Sequence, residues 1–155
     1  MTAVAAPRPH VRLKEQVMTD IRPVSTRNAP TVGFSTGTAA PLSQAIVHGD
    51  TIYCSGTGPL DPETRTIVSD DFAEQAKQTL ANLVAVVEAA GGSRETILKC
   101  TCFVRDVANF PVFNAVYREF FEGNPHFPAR TTVIATPHRT GVQVEVECVA
   151  AVNRP

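Results

Sequence analysis

Apolar positions recur at helical spacing in two segments of the chain. Gly91-Gly92 ends the first segment, and Gly123 with Pro125 ends the second, in which Pro111 suits a first turn. Ser69 or Asp70 is the expected N-cap of the first helix. The spacing predicts two amphipathic helices, with apolar stripes made of Phe72, Ala76, Leu80, Leu83, Val84 and Val87 in the first and of Phe110, Phe113, Val116, Tyr117, Phe120 and Phe121 in the second.

Runs rich in β-branched residues, or with period-two alternation, predict the strands. Two short runs flank the hairpin signal His48-Gly49-Asp50, and "IRPVST" is a candidate for a further strand before them. The other predicted strands are "TILKCTCFVRD", "ARTTVIA" and "VQVEVECVAAV". The order β-β-α-β-α-β-β predicts an α+β fold with two helices on one face of a mixed sheet. Residues 1–30, broken by Pro and Arg, are expected to be a flexible or partner-docked extension, and residues 31–155 the domain.

Composition narrows the function classes. A net charge of -1 gives no strong field toward nucleic acid or an anionic membrane, and 43% apolar residues suffice for a core. No run is long enough to span a membrane and no secretory signal is evident, so we expect a cytosolic protein without membrane or nucleic-acid partners. The four cysteines lack metal-ligand spacing and are expected to be small buried hydrophobes, with no metal bound: Cys54, Cys100, Cys102 and Cys148.

Two charged residues stand inside predicted strands. Arg130 opens an apolar run, where a guanidinium loses water unless an anion meets it. Glu145 and Glu147 share one face of the last strand, which is also what a solvated face would show. Arg130 and Glu145 together suit either a structural ion pair or a site in which Arg grips a carboxylate and Glu orients a water. Sequence spacing leaves both readings open.

The segment Ser55-Gly56-Thr57-Gly58-Pro59 ends a strand abruptly. It is too short for a phosphate-cradling loop, and no Lys follows it. Either the turn needs glycine torsions, or the backbone approaches a ligand closely.

Four segments, in this order and spacing, resemble the RidA (YjgF/UK114) family of reactive-intermediate imine deaminases: "QAIVHGDTIYCSGTGPLDPET", "EQAKQTLANLVAVVEAAGGSRETILKCTCFVRDVANFPVFNAVYREFF", "FPARTTV" and "VEVECVA". The resemblance runs from about Pro41 to Val152. It implies a chorismate-mutase-like fold and a homotrimer whose sheets form a central barrel, with active sites between neighbouring subunits. It also implies hydrolysis of enamines or imines, such as 2-aminoacrylate, to a keto acid and ammonia without a cofactor.

The resemblance also suggests roles for single residues. Arg130 matches the arginine that binds the substrate carboxylate, and Glu145 the glutamate that positions the attacking water. Ser55 and Gly56 match a turn beside the substrate. Thr132 stands where cysteine is common and the backbone amide helps bind the carboxylate. Asn114 matches a helix asparagine that we interpret as structural.

Two positions depart from the family pattern. Leu42 replaces a common tyrosine and Thr57 a common glutamine; both are expected to shape the pocket. Thr57-x-Pro59 looks more like aminoacrylate peracid and aminomuconate deaminases. The predicted function is therefore hydrolytic deamination of a small carboxylate-bearing enamine or imine, with a pathway-specific substrate. The alternatives are a ligand-binding trimer without turnover and an isomerising or condensing enzyme that acts on enamines.

Overall fold

The strands and helices follow the predicted order, with the short first strand included. The computed structural model describes residues 20–31 and 40–154. Its elements are β1 (Ile21–Val24), β2 (Ala45–His48), β3 (Thr51–Thr57), α1 (Phe72–Ala89), β4 (Ile97–Val104), α2 (Phe110–Phe121), β5 (Ala129–Ile134) and β6 (Val144–Ala151). Single 3-10 turns at Arg94–Thr96 and Val107–Asn109 precede β4 and α2. The mixed α+β prediction is confirmed.

Alternation along the last strand defines the two faces of the sheet. The strand order is β1-β2-β3-β6-β4-β5, with β4 and β5 parallel and the other pairs antiparallel. In β6, Val144, Val146 and Cys148 are buried, whereas Glu145 and Glu147 are only half-buried. We call the side of the buried residues the helix face, because α1 packs on β6 and β3, and the other side the open face.

Both helices bury most of their predicted stripes. Val84 and Phe120 are partly buried, and Phe110 keeps 38% of its surface exposed. Asp71, not Ser69 or Asp70, is the N-cap of α1: its side chain accepts a 2.9 Å hydrogen bond from the Glu74 amide. The predicted cap was wrong because Ser69 Oγ instead accepts a hydrogen bond from the Asp71 amide, which places Ser69 before the helix.

The sheet begins before the predicted domain boundary at residue 31. Strand β1 pairs antiparallel with β2, so residues 21–24 of the predicted extension belong to the fold. Residues 1–19 of that extension lie outside the described residues. Across the described ranges, no helix combines the length and apolarity needed to cross a bilayer.

All four cysteines are buried and free, as the sequence predicted. Cys54, Cys148 and Cys100 lie in one row across β3, β6 and β4, because each is the register partner of the next. Burial raises the pKa of Cys100 to about 11, so its thiol is neutral.

Candidate active site

Arg130 lies on the helix face of β5, where aromatic side chains of α2 surround its guanidinium. Its Nη2 donates a 2.8 Å hydrogen bond to Asn114 Oδ1. Its Cζ lies 4.7 Å from the ring centroid of Tyr117 and 5.9 Å from those of Phe110 and Phe113. Burial raises the pKa of Tyr117, so the phenol stays neutral and the contact is a cation–π interaction.

The guanidinium keeps most of its donors for a ligand. Arg130 carries five N–H groups, and within the described part of the chain its side chain makes the Asn114 hydrogen bond and no ion pair. The cleft beside it measures about 370 Å³. Its lining residues are Asn114, Tyr117, Arg118, Phe127, Pro128 and Arg130. A small anion with an apolar body would satisfy both the free donors and the aromatic walls.

Glu145 lies on the open face of β6 and packs against Gly56 of β3. A Cβ atom at Gly56 would lie 2.9 Å from Glu145 Cδ and would overlap Oε1, so the absent side chain makes room for the carboxylate. Burial raises the pKa of Glu145. The Coulombic interaction with His138 lowers this pKa, and the one with Glu147 raises it further. A carboxylate with a raised pKa is a better proton acceptor than one in water.

Ser55 and Thr57 flank Gly56 at the end of β3, and their side chains point in different directions. Ser55 Oγ donates a 2.7 Å hydrogen bond to the Ser43 carbonyl, next to Leu42, which is 48% exposed. Thr57 points inward: its hydroxyl lies 3.1 Å from the Val146 carbonyl oxygen, and 5% of the residue is exposed. The Thr57 side chain therefore faces the protein core and is not available to a ligand.

Thr132 follows Arg130 on the same face of β5, since Cys100 and Cys102 are their register partners on β4. Its hydroxyl is buried without a hydrogen-bond partner among the residues described. Buried hydroxyls are rarely left unpaired.

The predicted site residues fall into two groups. Thr132 and Arg130 form one group, and Ser55, Gly56 and Glu145 form another.

These two groups lie apart within one chain. The register partner of Arg130 on β4 is Cys100, and that of Glu145 is Phe103. Two strand spacings of about 4.8 Å and three residues at about 3.3 Å each separate the Cα atoms by about 14 Å. The side chains also point to opposite faces, since Cys100 belongs to the helix face and Phe103 to the open face. The intrachain ion pair between Arg130 and Glu145 is thereby excluded.

Sequence reasoning missed part of the Arg130 environment. Asn114 was interpreted as structural, although it holds the guanidinium. Phe110 belongs to the predicted apolar stripe of α2, yet its ring flanks the arginine. Phe127, 54% exposed, and Arg118 were not considered at all. An available signal was the Phe-Pro-Ala-Arg sequence, where a bulky apolar residue directly precedes the strand that carries the arginine.

No group of His, Cys, Asp and Glu side chains in residues 20–31 and 40–154 is arranged to hold a metal ion. The chemistry that these residues themselves supply is a cationic fork, hydrogen-bond donors and a carboxylate with a raised pKa.

Comparisons with known proteins agree on one family. A family model described as Endoribonuclease L-PSP matches residues 34–152. The chain is 36% identical over 129 residues to the human 2-iminobutanoate/2-iminopropanoate deaminase, covering 83% of this chain and 88% of the human protein. It is 38% identical over 128 residues to the Salmonella typhimurium protein of the same name, covering 82% of this chain and 94% of that protein.

Solved structures share the fold. The crystal structure of the YjgF gene product from Escherichia coli superimposes with a TM-score of 0.75 at 37% identity and covers 84% of this chain and 98% of its own. Sequence and fold therefore agree over most of the described part, and the chain belongs to the endoribonuclease L-PSP family, which is the RidA (YjgF/UK114) family indicated by its motifs.

Proposed function

We propose that the chain is a hydrolytic deaminase that converts a small carboxylate-bearing enamine or imine to a keto product and ammonia. The observation that carries the proposal is the Arg130 guanidinium, which is held by Asn114 and three rings yet has no carboxylate partner in the described structure. The deaminase names of relatives with 36% and 38% identity support the same reaction class.

The proposed site needs two copies of the chain. Arg130 and Glu145 point to opposite faces of one sheet, so one subunit cannot apply both to one small substrate. A closed homo-oligomer with head-to-tail interfaces joins two different surfaces of the chain, and the proposed site requires these to be the Arg130 cleft of one copy and the Glu145 group of the next. We infer a homotrimer, in line with the family resemblance. Its sheets would meet through the open face, where Tyr53 is 50% exposed.

The steps follow from the two groups. Arg130 binds the substrate carboxylate through its free N–H donors and places the imine carbon against the neighbouring copy. Glu145 of that copy accepts a proton as water attacks the C=N carbon, which gives a carbinolamine. Glu145 passes this proton to the nitrogen, which received the π electron pair, so the carbinolamine is neutral. The hydroxyl proton of the carbinolamine then moves by way of Glu145 to the same nitrogen, the C–N bonding pair leaves with ammonia, and an oxygen lone pair forms the C=O bond of the carbonyl product. General-base assistance of this type contributes about 10²–10⁴-fold.

The deaminase names of the relatives guide this proposal more than the nuclease description of the family model. A polyanion such as RNA is bound by clustered cations along an extended surface. Here the net charge is -1, and the cleft beside Arg130 has the size of a small-molecule site.

The test is ammonia release from 2-aminoacrylate generated in the assay by a serine dehydratase. Wild-type protein is expected to accelerate release, and Arg130→Met to lose the acceleration. Arg154→Met is the matched control, because Arg154 is 80% exposed and pairs with Asp50 away from both groups. Equal rates for wild type and Arg130→Met would refute the proposal.

A further inference from the structure

A second arginine lines the cleft that contains Arg130. Arg118 lies one helical turn after Asn114 on α2 and contributes to the same wall. Residues four apart on a helix have Cβ atoms about 5–6 Å apart. Since Asn114 bonds directly to Arg130, the two guanidinium groups are within reach of one small molecule.

Arg118 has no anionic partner in the described chain. The ion pairs found there join Lys77 to Glu74, Arg94 to Glu95 and Arg154 to Asp50. Arg118 appears in none of them, and its side chain makes no hydrogen bond to another described residue. Two like charges in one cleft repel each other, and a bound dianion removes that repulsion while supplying both partners.

Apart from Asn114, the residues that complete the lining of the cleft are apolar or aromatic. Phe127 and Pro128 line it, and Tyr117 lies beneath Arg130. A ligand matched to this cleft carries an anionic group at each end and an apolar or unsaturated segment between them. A monocarboxylate would leave Arg118 unused.

We propose that Arg118 binds a second carboxylate of the substrate, which makes dicarboxylic enamines or imines the preferred substrate class. This inference rests on the proposed function, because Arg130 must hold the first carboxylate. Arg118 is then a specificity-determining residue: it selects among substrates and takes no part in proton transfer.

Binding of keto-acid product analogues to the full chain tests the inference. The probes are 2-oxobutanoate, with one carboxylate, and 2-oxoglutarate and 2-oxoadipate, with two; isothermal titration calorimetry gives Kd. For wild type, at least one dicarboxylate is expected to bind about tenfold or more tightly than 2-oxobutanoate, the size of one additional charge-assisted contact. Arg118→Met should abolish this preference, because it weakens dicarboxylate binding far more than 2-oxobutanoate binding.

Two further variants sharpen the result. Arg118→Lys is expected to retain part of the preference, because it keeps the charge but loses the fork. Arg154→Met should keep all of it, which controls for loss of one positive charge elsewhere. The inference is overturned if neither dicarboxylate binds more tightly than 2-oxobutanoate, or if Arg118→Met keeps the preference.

Its failure differs from failure of the proposed function. If the dicarboxylate preference is absent while wild type still releases ammonia from 2-aminoacrylate, the role of Arg118 is refuted and the deaminase proposal stands. If no keto acid binds and no ammonia is released, both are refuted.

Discussion

Replacing Asn114 by alanine should weaken catalysis through Arg130 without unfolding the protein. Asn114 Oδ1 accepts the 2.8 Å hydrogen bond from Arg130 Nη2, so the variant leaves Nη2 without this acceptor. A hydrogen bond to a charged group contributes about 1.5–3 kcal/mol. If that free energy orients the substrate carboxylate, kcat/KM should fall by about tenfold to 100-fold.

Aspartate at the same position separates orientation from charge. Asn114→Asp keeps an acceptor oxygen but places a carboxylate on Arg130, which then competes with the substrate. We expect KM to rise more than in Asn114→Ala. Ala115→Asp is the charge-matched control: it adds the same charge to an exposed position next along α2 and should leave KM near wild type.

The assay is steady-state ammonia release at several substrate concentrations, with thermal unfolding measured on each variant. The reasoning is refuted if Asn114→Ala keeps wild-type kcat/KM, or if Asn114→Asp and Ala115→Asp raise KM equally. A loss of activity matched by a large drop in Tm would instead show that Asn114 is structural.

Four further predictions follow from other contacts. Gly56→Ala should push the Glu145 carboxylate aside and lower ammonia release by about 100-fold. The free energy of unfolding should change by less than about 1 kcal/mol, since the φ of Gly56 is not positive. Unchanged activity would contradict the packing of Gly56 against Glu145. Burial raises the pKa of Glu145 above 4.5, so activity should fall as pH drops through that raised value. At pH values above that pKa, the buried negative charge of Glu145 also destabilises the folded protein. Glu145→Gln should therefore raise Tm at neutral pH but not below pH 4.5, as pH-dependent calorimetry would show. Asp71→Ala should cost about 1 kcal/mol in urea unfolding, and Asp70→Ala much less, because Asp71 caps α1; equal losses would argue against this cap.

The helices and strands could be predicted from the sequence because each of them has a local sequence signal. The stripe that begins at Phe72 ends where Gly91-Gly92 stops a helix, and the alternation from Val144 onward is a strand with one buried face. The Gly49-Asp50 turn closes the hairpin between β2 and β3, with Gly49 at a φ of 57°. These signals lie within a few residues of what they specify.

Features that depend on distant partners were missed. Thr57 was predicted to shape a pocket, but a register shift between Cys54 and Thr57 turns it toward α1, where its hydroxyl meets backbone oxygens. A similar shift near Ile97 buries that residue and leaves Leu98 49% exposed, so simple alternation fails at the start of β4. Bulges of this kind depend on the neighbouring strand, which lies far away in sequence.

The candidate site was predicted only in part, for the same reason. An arginine at the start of an apolar strand already indicated an anion site, and the family resemblance paired Arg130 with Glu145. Local sequence does not show that the two side chains point to opposite faces, because this follows from their register across β4. Nor does it show that Asn114, on a different element, holds the guanidinium.

Mixed oligomers test the central claim that the site forms between copies. Arg130→Met and Glu145→Gln are each expected to be inactive alone. Unfolding and refolding them together in equal amounts should restore about a quarter of the sites, because one interface in four pairs an intact arginine with an intact glutamate. Recovery of about a quarter of wild-type ammonia release is the predicted result. Mixed protein that exchanges subunits but stays as inactive as its parents would contradict the account.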